Sequence, residues 1–264
     1  MYHGPVAPIR GIDQVCKQMN VNRQELDIYR GRDPREVSTY STIEAGHYLR
    51  IPEQTIRNWC FGRSWSRGGK PVHVRAVIQA ADAGRRMLSF VNMVELHVLD
   101  SIRRQHQVEL TNVRKAVTFL KREFGTQHPL ADIQMETNGK DLFVEQLGRL
   151  INASREGQLA MKEVLEQSLR RIERDPKGLA IRLFPFTRNA RLVQDATIDA
   201  PRIVSIEPTI AFGRPVIAGS RIPTVEIAER FKAGDSFELL AVEYGRPIAE
   251  IEEAIRCELA LDAA

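Results

Sequence analysis

The sequence predicts a mainly α-helical fold with small β-hairpins, an α+β protein. Apolar residues recur at intervals of three and four over much of the chain, as they do on the buried faces of helices. Short extended segments lie between Gly and Pro residues, which is typical of the strands of small hairpins. The 264 residues include 43% hydrophobic and 27% charged residues, so we expect a soluble globular protein of one to three domains.

Residues 40–70 have the spacing of a helix-turn-helix followed by a basic segment. Ser41 and Glu44 form a Ser-x-x-Glu capping box, which starts a helix by satisfying two backbone donors. Pro52 suits the first turn of a second helix, because it has no N–H group to leave unused there. The second helix is therefore in the position of a recognition helix.

The second helix has an apolar face and a polar face. Ile56, with Trp59 or Cys60, is expected to point into the core. The polar side chains that face outward are expected to read a DNA groove, and they are Gln54, Thr55, Arg57 and Asn58.

Positive charge is concentrated in the same part of the chain. Between residues 50 and 75 there are six cations and one anion, Glu53, although the net charge of the whole chain is only +4. Such a local excess is the electrostatic footprint of phosphate contact, the alternative being a small helical subdomain with a solvated basic face. The cations expected to bind DNA are Arg50, Arg57, Arg63, Arg67 and Lys70.

A Gly-Gly pair predicts a hairpin after the second helix. Gly68 and Gly69 separate two short segments, Ser64–Arg67 and Lys70–Val74. A hairpin here would be a wing that reaches the DNA backbone or minor groove, and a plain loop is the alternative.

Two amphipathic helices are expected next, and then a mixed α+β region. The apolar stripes of the two helices belong either to the core or to a dimer interface; they are Phe90, Val94, Val98 and Ile102, and Leu110, Val113, Val117, Leu120 and Phe124. Asn138-Gly139 predicts a hairpin within Ala131–Val144. The other expected elements of the mixed region are a short strand near Leu150–Asn152, a helix over Leu159–Ile172 and a strand over Leu179–Phe186.

The last sixty residues predict a three-helix domain with its own helix-turn-helix spacing. The expected helices are Pro223–Ala233, Phe237–Tyr244, which Asp235 and Glu238 would cap, and Pro247–Leu261. The third helix would be repelled by DNA, because Arg256 alone opposes five acidic residues: Glu250, Glu252, Glu253, Glu258 and Asp262. We therefore expect a protein-binding module that DNA binding does not need, with Ile248, Ile251, Ile255 and Leu259 as core or interface.

Cysteines and histidines indicate no catalytic, metal or disulfide site. The three cysteines are far apart and form no Cys-x-x-Cys pair, so we expect free thiols in a reducing cytoplasm. The six histidines form no metal-binding motif such as His-Glu-x-x-His, and the sequence has no phosphate-binding loop or Gly-x-Ser-x-Gly elbow. We therefore expect a cytoplasmic protein that is not an enzyme and needs no metal or cofactor. No apolar run approaches the ~20 residues of a membrane span.

Two segments resemble known families. Tyr40–Trp59, with Ser-x-x-Glu-Ala and then Pro-x-x-Thr-Ile-Arg-x-Trp, resembles the winged helix-turn-helix of MerR-type regulators. Ile206–Leu259, with Phe-Gly-Arg-Pro-Val-Ile-Ala-Gly-Ser-Arg-Ile-Pro-Thr and later Ala-Val-Glu-Tyr-Gly, resembles the domain-of-unknown-function family DUF433. The combination resembles the large VapB-type antitoxins of bacteria. The expected regions are an irregular N-terminal extension (1–37), a MerR-like domain (38–88), a helical pair (89–130), a mixed region (131–200) and an antitoxin-associated domain (201–264).

The resemblance implies a function and two partners. The N-terminal domain would bind double-stranded operator DNA upstream of its own operon. Two copies of the chain would bind there as a homodimer on a two-fold site. The C-terminal part would bind and silence a PIN-domain ribonuclease, whose active site is acidic and holds a divalent metal. Arginines of the C-terminal domain are the candidates for this contact: Arg214, Arg221 and Arg230. The alternative is a stand-alone MerR-like transcriptional regulator that binds an organic ligand.

Overall fold

The structure is a computed structural model, and it describes residue 29 and residues 31–106, 108–187 and 201–259. Of the expected N-terminal extension, residues 1–28 and residue 30 therefore lie outside the described residues, and residues 34–37 form turns and a bend. The elements described below belong to one compact unit that begins at Pro34.

The helix-turn-helix and its wing are present. Strand β1 (Tyr40–Ser41) leads into α1 (Thr42–Leu49), and α2 (Glu53–Phe61) follows after a short turn. The Ser41 hydroxyl accepts from the backbone N–H of Glu44, whose carboxylate accepts from the Ser41 N–H, so the capping box is confirmed. Strands β2 (Arg63–Arg67) and β3 (Lys70–Val74) pair antiparallel as the wing, and β4 (Met87–Leu88) pairs with β1.

The two amphipathic helices are also confirmed, and their apolar stripes lie in the core. They are α3 (Phe90–His106) and α4 (Leu110–Phe124). The side chains of Val94, Val98, Val113 and Val117 are buried in the main hydrophobic core of the chain, whereas Leu110 and Phe124 are partly buried against it.

The hairpin expected within Ala131–Val144 is wrong. The segment forms two 3-10 turns, Pro129–Ala131 and Ile133–Glu136, and then α5 (Gly139–Ile151). Gly139 is needed for close packing here, because a Cβ at this position would lie 2.5 Å from the ring of Phe124 and 2.6 Å from the carbonyl oxygen of Gln134. The strand expected near Leu150–Asn152 is wrong as well, since these residues end α5, with Asn152 in the left-handed conformation.

The rest of the mixed region largely follows the prediction. Helix α6 (Arg155–Leu169) starts earlier than expected because the Ser154 hydroxyl caps it by accepting from the N–H of Gly157. Ile172, expected at the end of this helix, instead begins β5 (Ile172–Arg174), which pairs with the expected strand β6 (Ala180–Leu183). The backbones of Leu183 and Ile206 exchange two hydrogen bonds, which join the mixed region to the C-terminal domain.

The C-terminal domain has the three expected helices. Strands β7 (Val204–Ser205) and β8 (Val216–Ile217) precede α7 (Thr224–Lys232), α8 (Phe237–Tyr244) and α9 (Ile248–Leu259). The capping residue of α8 is Ser236 and not Asp235, because the Ser236 hydroxyl accepts from the N–H of Leu239 while Asp235 pairs with Arg230. The helices surround a second hydrophobic core that contains Ile217, Ile227, Leu240, Ile251 and Ile255. Ile248, another residue of the expected stripe, is exposed.

Two negative findings concern membrane and metal binding. Within the part of the chain that the structure describes, no helix is both long and apolar enough to cross a membrane. Over the same residues, no three His, Cys, Asp or Glu side chains are grouped as the ligands of a metal ion would be.

A buried carboxylate makes the stability of the fold depend on pH. Nδ1 of His128 lies 2.9 Å from Oε2 of Glu95, whose side chain is 1% exposed, and this hydrogen bond raises the pKa of His128 above its ordinary value. The contribution of protonated His128 to stability is complete below its ordinary pKa of about 6.5 and is lost as the pH rises through the raised folded-state pKa.

We expect the free energy of unfolding to fall above neutral pH and His128→Gln to remove that part of the pH dependence. Urea denaturation from about pH 6 to pH 9, followed by tryptophan fluorescence, measures this difference. The assignment is contradicted if the variant and the unchanged protein lose equal stability over this range.

Candidate nucleic-acid interface

The expected reading residues lie on the exposed and partly exposed side of α2. Ile56, Trp59 and Cys60 are buried on the opposite side and fix the orientation of the helix. Gln54 is exposed, and its side-chain amide donates to Oδ1 of Asn58 over 3.1 Å. The guanidinium of Arg57 is 3.7 Å from Glu53, and its side chain is 40% exposed, so it can leave this exposed pair at little cost. Thr55 lies on the same helix and is partly exposed.

The wing continues from the end of α2. Gly62 lets the base of the hairpin pack against the helix end, because a Cβ at this position would lie 2.4 Å from the carbonyl oxygen of Val74. Gly68 and Gly69 form the tip with φ angles of 57° and 77°, which glycine adopts without strain. The wing is therefore a short arm whose base is fixed at the C-terminal end of α2.

Cations line this arm. Arg63 and Lys70 are exposed on the two strands, and the guanidinium of Arg63 is 4.7 Å from the ring centroid of Trp65. Arg67 lies in β2, but its side chain is outside the described residues. The arm thus presents positive charge beyond the C-terminal end of α2, as an arm that contacts the DNA backbone would.

Arg50 has a different role from the one the charge count predicts. It ends α1 with a φ of 58°, and its Nη2 donates to the carbonyl oxygens of Arg256, over 2.7 Å, and Cys257, both in the final turn of α9. Burial lowers the pKa of Arg50 from its ordinary value. Because its guanidinium binds carbonyl groups at the end of another helix, we leave Arg50 out of the proposed DNA interface.

The C-terminal domain packs directly against α1 of the helix-turn-helix. Nε2 of His47 lies 2.9 Å from Oε2 of Glu258, and the Thr224 hydroxyl donates to the other oxygen of this carboxylate. Burial alone would raise the pKa of Glu258, but the hydrogen bonds from His47 and Thr224 hold it below its ordinary value. The C-terminal module is therefore in direct contact with the helix-turn-helix, while the expectation that DNA binding does not need this module stays a prediction.

A second contact joins the same two domains. The Tyr40 hydroxyl donates to the carbonyl oxygen of Gly213 over 3.0 Å, in a buried position. Gly213 has a φ of 77°, and a Cβ there would lie 2.1 Å from the Tyr40 oxygen. Only glycine fits this contact without a shift of the tyrosine.

Most of the described acidic residues of α9 make contacts within the protein and do not form a free acidic surface. Glu253 is 2% exposed and accepts from the Thr187 hydroxyl, while Glu258 faces His47. Glu250 pairs with Arg246 over 2.8 Å, whereas Glu252 is exposed. Asp262, the fifth acidic residue, lies outside the described residues. The negative charge of this helix therefore cannot by itself be counted as a partner-binding surface.

The three candidate arginines of the C-terminal domain differ in their surroundings. Arg230 pairs with Asp235 and Glu243, and the hydrogen bonds from its guanidinium to Glu243 and Asp235 raise its pKa. Arg214 and Arg221 are exposed. An open groove of about 480 Å³ lies elsewhere on the domain and is lined by Phe237, Glu252, Ile255, Arg256 and Leu259.

Comparison with known families finds a match at each end of the chain. Residues 38–117 match the family described as "Putative DNA-binding HTH domain". Residues 204–256 match the family described as "Protein of unknown function (DUF433)". The first match includes the helix-turn-helix, the wing, α3 and the first half of α4, and the second spans most of the C-terminal domain.

Similar proteins come from Mycobacterium tuberculosis (strain ATCC 25618 / H37Rv). "Putative antitoxin VapB45" is 26% identical over 236 residues, which cover 83% of this chain and 93% of that protein. "Uncharacterized protein Rv2308" is 27% identical over 229 residues, which cover 84% of this chain and 89% of that protein. The X-ray crystal structure of Rv2018 from the same species shares the fold, with a TM-score of 0.58 and 21% identity, over 83% of this chain and 98% of that one.

The chain thus joins an N-terminal helix-turn-helix domain to a C-terminal DUF433 domain, and it is a homologue of "Putative antitoxin VapB45" over most of its length.

Proposed function

We propose that this protein is the DNA-binding antitoxin of a type II, VapBC-like toxin–antitoxin system. The observation that carries the proposal is the exposed polar face of α2 beside a basic wing, on a chain that is similar to an antitoxin over 83% of its length. In this function the chain performs no catalysis. It acts in the cytoplasm by binding DNA and a toxin.

The reading helix and the wing have separate roles in the proposed DNA complex. MerR-like docking would place the N-terminal part of α2 in the major groove, where Arg57 suits a guanine edge and Gln54 or Asn58 an adenine edge. Arg63, Arg67 and Lys70 would bind backbone phosphates, which fixes orientation without reading sequence. Thr55 suits either a base edge or a phosphate.

Autoregulation follows from such binding if the operator lies upstream of the chain's own operon. A homodimer would present two reading helices to a two-fold operator, with half-sites about 34–36 Å apart or a multiple of that distance. Repression of the operon by its own product would keep toxin and antitoxin in balance.

The proposed toxin is a PIN-domain ribonuclease with an acidic, metal-binding active site. Arg214 and Arg221 remain candidates for contact with it because they are exposed in the DUF433 domain. Arg230 is a poorer candidate, because contact with a toxin would first have to break its pairs with Asp235 and Glu243. The stand-alone regulator with an organic ligand is the alternative function, and the groove beside α9 is too open to enclose most of the surface of such a ligand.

Arg57→Ala is expected to weaken operator binding by about 1–3 kcal/mol, because a base-reading arginine makes a bidentate contact that alanine cannot make. Fluorescence anisotropy with the operator and with a scrambled duplex at one salt concentration measures the loss on each. The loss should be confined largely to the operator. A small loss of equal size on both duplexes would show that Arg57 touches phosphate and reads no base.

A pull-down of the tagged, full-length protein from its native host tests the toxin partner. Mass spectrometry is expected to find a PIN-domain ribonuclease in near-equal amount, because type II toxins are held by tight protein–protein contact. Recovery of the protein alone, or with transcription machinery only, would overturn the antitoxin proposal in favour of the stand-alone regulator.

A further inference from the structure

An exposed basic turn precedes β4, and neither the helix-turn-helix nor the wing includes it. This segment, which we name the Arg85 turn, spans residues 82–87 and reads Asp-Ala-Gly-Arg-Arg-Met. The side chain of Arg85 is 84% exposed, and Arg86 is exposed beside it.

The pairing of β4 with β1 places the Arg85 turn at the start of α1. In the antiparallel register, Met87 is opposite Ser41 and Leu88 is opposite Tyr40. Helix α1 begins directly after Ser41, and the Arg85 turn leads into Met87, which is opposite Ser41. The turn and the start of α1 therefore lie at the same end of the strand pair.

The start of α1 is in turn close to the start of the reading helix. The Thr42 hydroxyl, in the first turn of α1, donates to Oε1 of Glu53 over 2.8 Å, and Glu53 is the first residue of α2. The Arg85 turn is therefore linked to the N-terminal end of α2 through the first turn of α1. The wing starts at the opposite end, where Gly62 follows the last residue of α2.

Acidic side chains near this end of α2 are already engaged inside the helix-turn-helix. Glu44 accepts from the backbone and the hydroxyl of Ser41, and Glu53 binds Thr42 and Arg57. Oδ1 of Asp82 accepts from the Arg85 N–H, and its Oδ2 is 3.8 Å from the Arg85 guanidinium, a weak exposed pair. The two arginines thus keep positive charge available to an anion.

The Arg85 turn is held in one conformation by its surroundings. The backbones of Asp82 and Met87 exchange two hydrogen bonds, of 3.1 and 2.9 Å. The buried amide of Asn92 supports the chain before the turn, accepting from the N–H of Ala81 and donating to the carbonyl oxygen of Gln79. Arg86 has a φ of 57°, a strained value for a residue with a side chain, and such strain persists only where the surrounding structure fixes it. A turn held in this way loses little freedom on binding.

We propose that Arg85 and Arg86 form a second arm that binds DNA phosphates at the N-terminal end of α2. With the wing at the other end, this arm holds the reading helix on the DNA backbone from both ends. The contact adds affinity and orientation on any sequence and reads no base. The inference rests on the DNA binding proposed above, and it adds two residues that lie outside the helix-turn-helix and its wing.

The second arm is tested by measuring how DNA binding by the full-length chain depends on salt. The unchanged protein is compared with three variants: Arg85→Ala, Arg86→Gly and the double variant. Arg86→Gly removes the guanidinium while it relaxes the strained φ, so a lower melting temperature is not expected. Arg149→Ala is the matched control, since it removes one exposed arginine on α5 that pairs with Glu145.

Each single variant is expected to lower the slope of log K against log salt by about 0.9, which corresponds to roughly eightfold weaker binding at about 0.1 M salt. The loss should be equal on the operator and on an unrelated duplex, and Arg149→Ala should keep the original slope. If the double variant has the same slope as the unchanged protein, the second arm is contradicted, while the proposed DNA binding stands. Absence of any DNA binding by the unchanged protein would overturn the proposed function, and the second arm with it.

Discussion

Helix α1 of the helix-turn-helix is shared between two domains, and the rest of the architecture depends on that sharing. On one side, Thr42 binds the first residue of the reading helix. On the other side, Arg50 binds carbonyl oxygens in the final turn of α9, and His47 faces Glu258 of the same helix. A guanidinium is well suited to this place, because the carbonyl groups at a helix end are unsatisfied and carry partial negative charge.

This contact has a consequence for the proposed function. The DUF433 domain is fixed to the helix-turn-helix domain by Tyr40, His47 and Arg50, and to the mixed region by the backbone of Ile206. A toxin bound to the DUF433 domain would therefore act on a body that includes the reading helix. If a toxin displaces α9, the contacts between α9 and α1 must either break or move α1 as well. Toxin binding and operator binding would then influence each other.

Much of the fold could be predicted from short-range signals. The capping box at Ser41, the Gly-Gly tip of the wing and the helices of the C-terminal domain all follow from residues that are close in sequence. Asn138-Gly139 is such a signal as well, but tertiary packing overrides it. Gly139 lies where Phe124 and Gln134 approach the backbone closely, so the lack of a side chain serves packing in a helix and not a hairpin turn.

The candidate site was predictable where it depends on one helix and unpredictable where it depends on distant contacts. Helical periodicity separates the buried Ile56 from the exposed Gln54 and the partly exposed Arg57. A charge count, however, cannot tell that Arg50 faces a helix end some two hundred residues away in sequence, or that Glu253 is buried against Thr187. The position of the Arg85 turn could not be predicted, because it depends on the pairing of β1 with β4. Strands of two residues are too short to show an alternating sequence pattern.

Because α1 contacts both domains, we expect the helix-turn-helix and the DUF433 domain to open as one unit. Native-state hydrogen exchange of the full-length chain at increasing urea, resolved by mass spectrometry for α2 and for α9, tests it most directly. We predict that amides of both helices open with the same free energy and the same dependence on urea, and that Arg50→Ala lowers both together. If α9 exchanges at low urea while α2 remains protected, the two domains are independent and the account is contradicted.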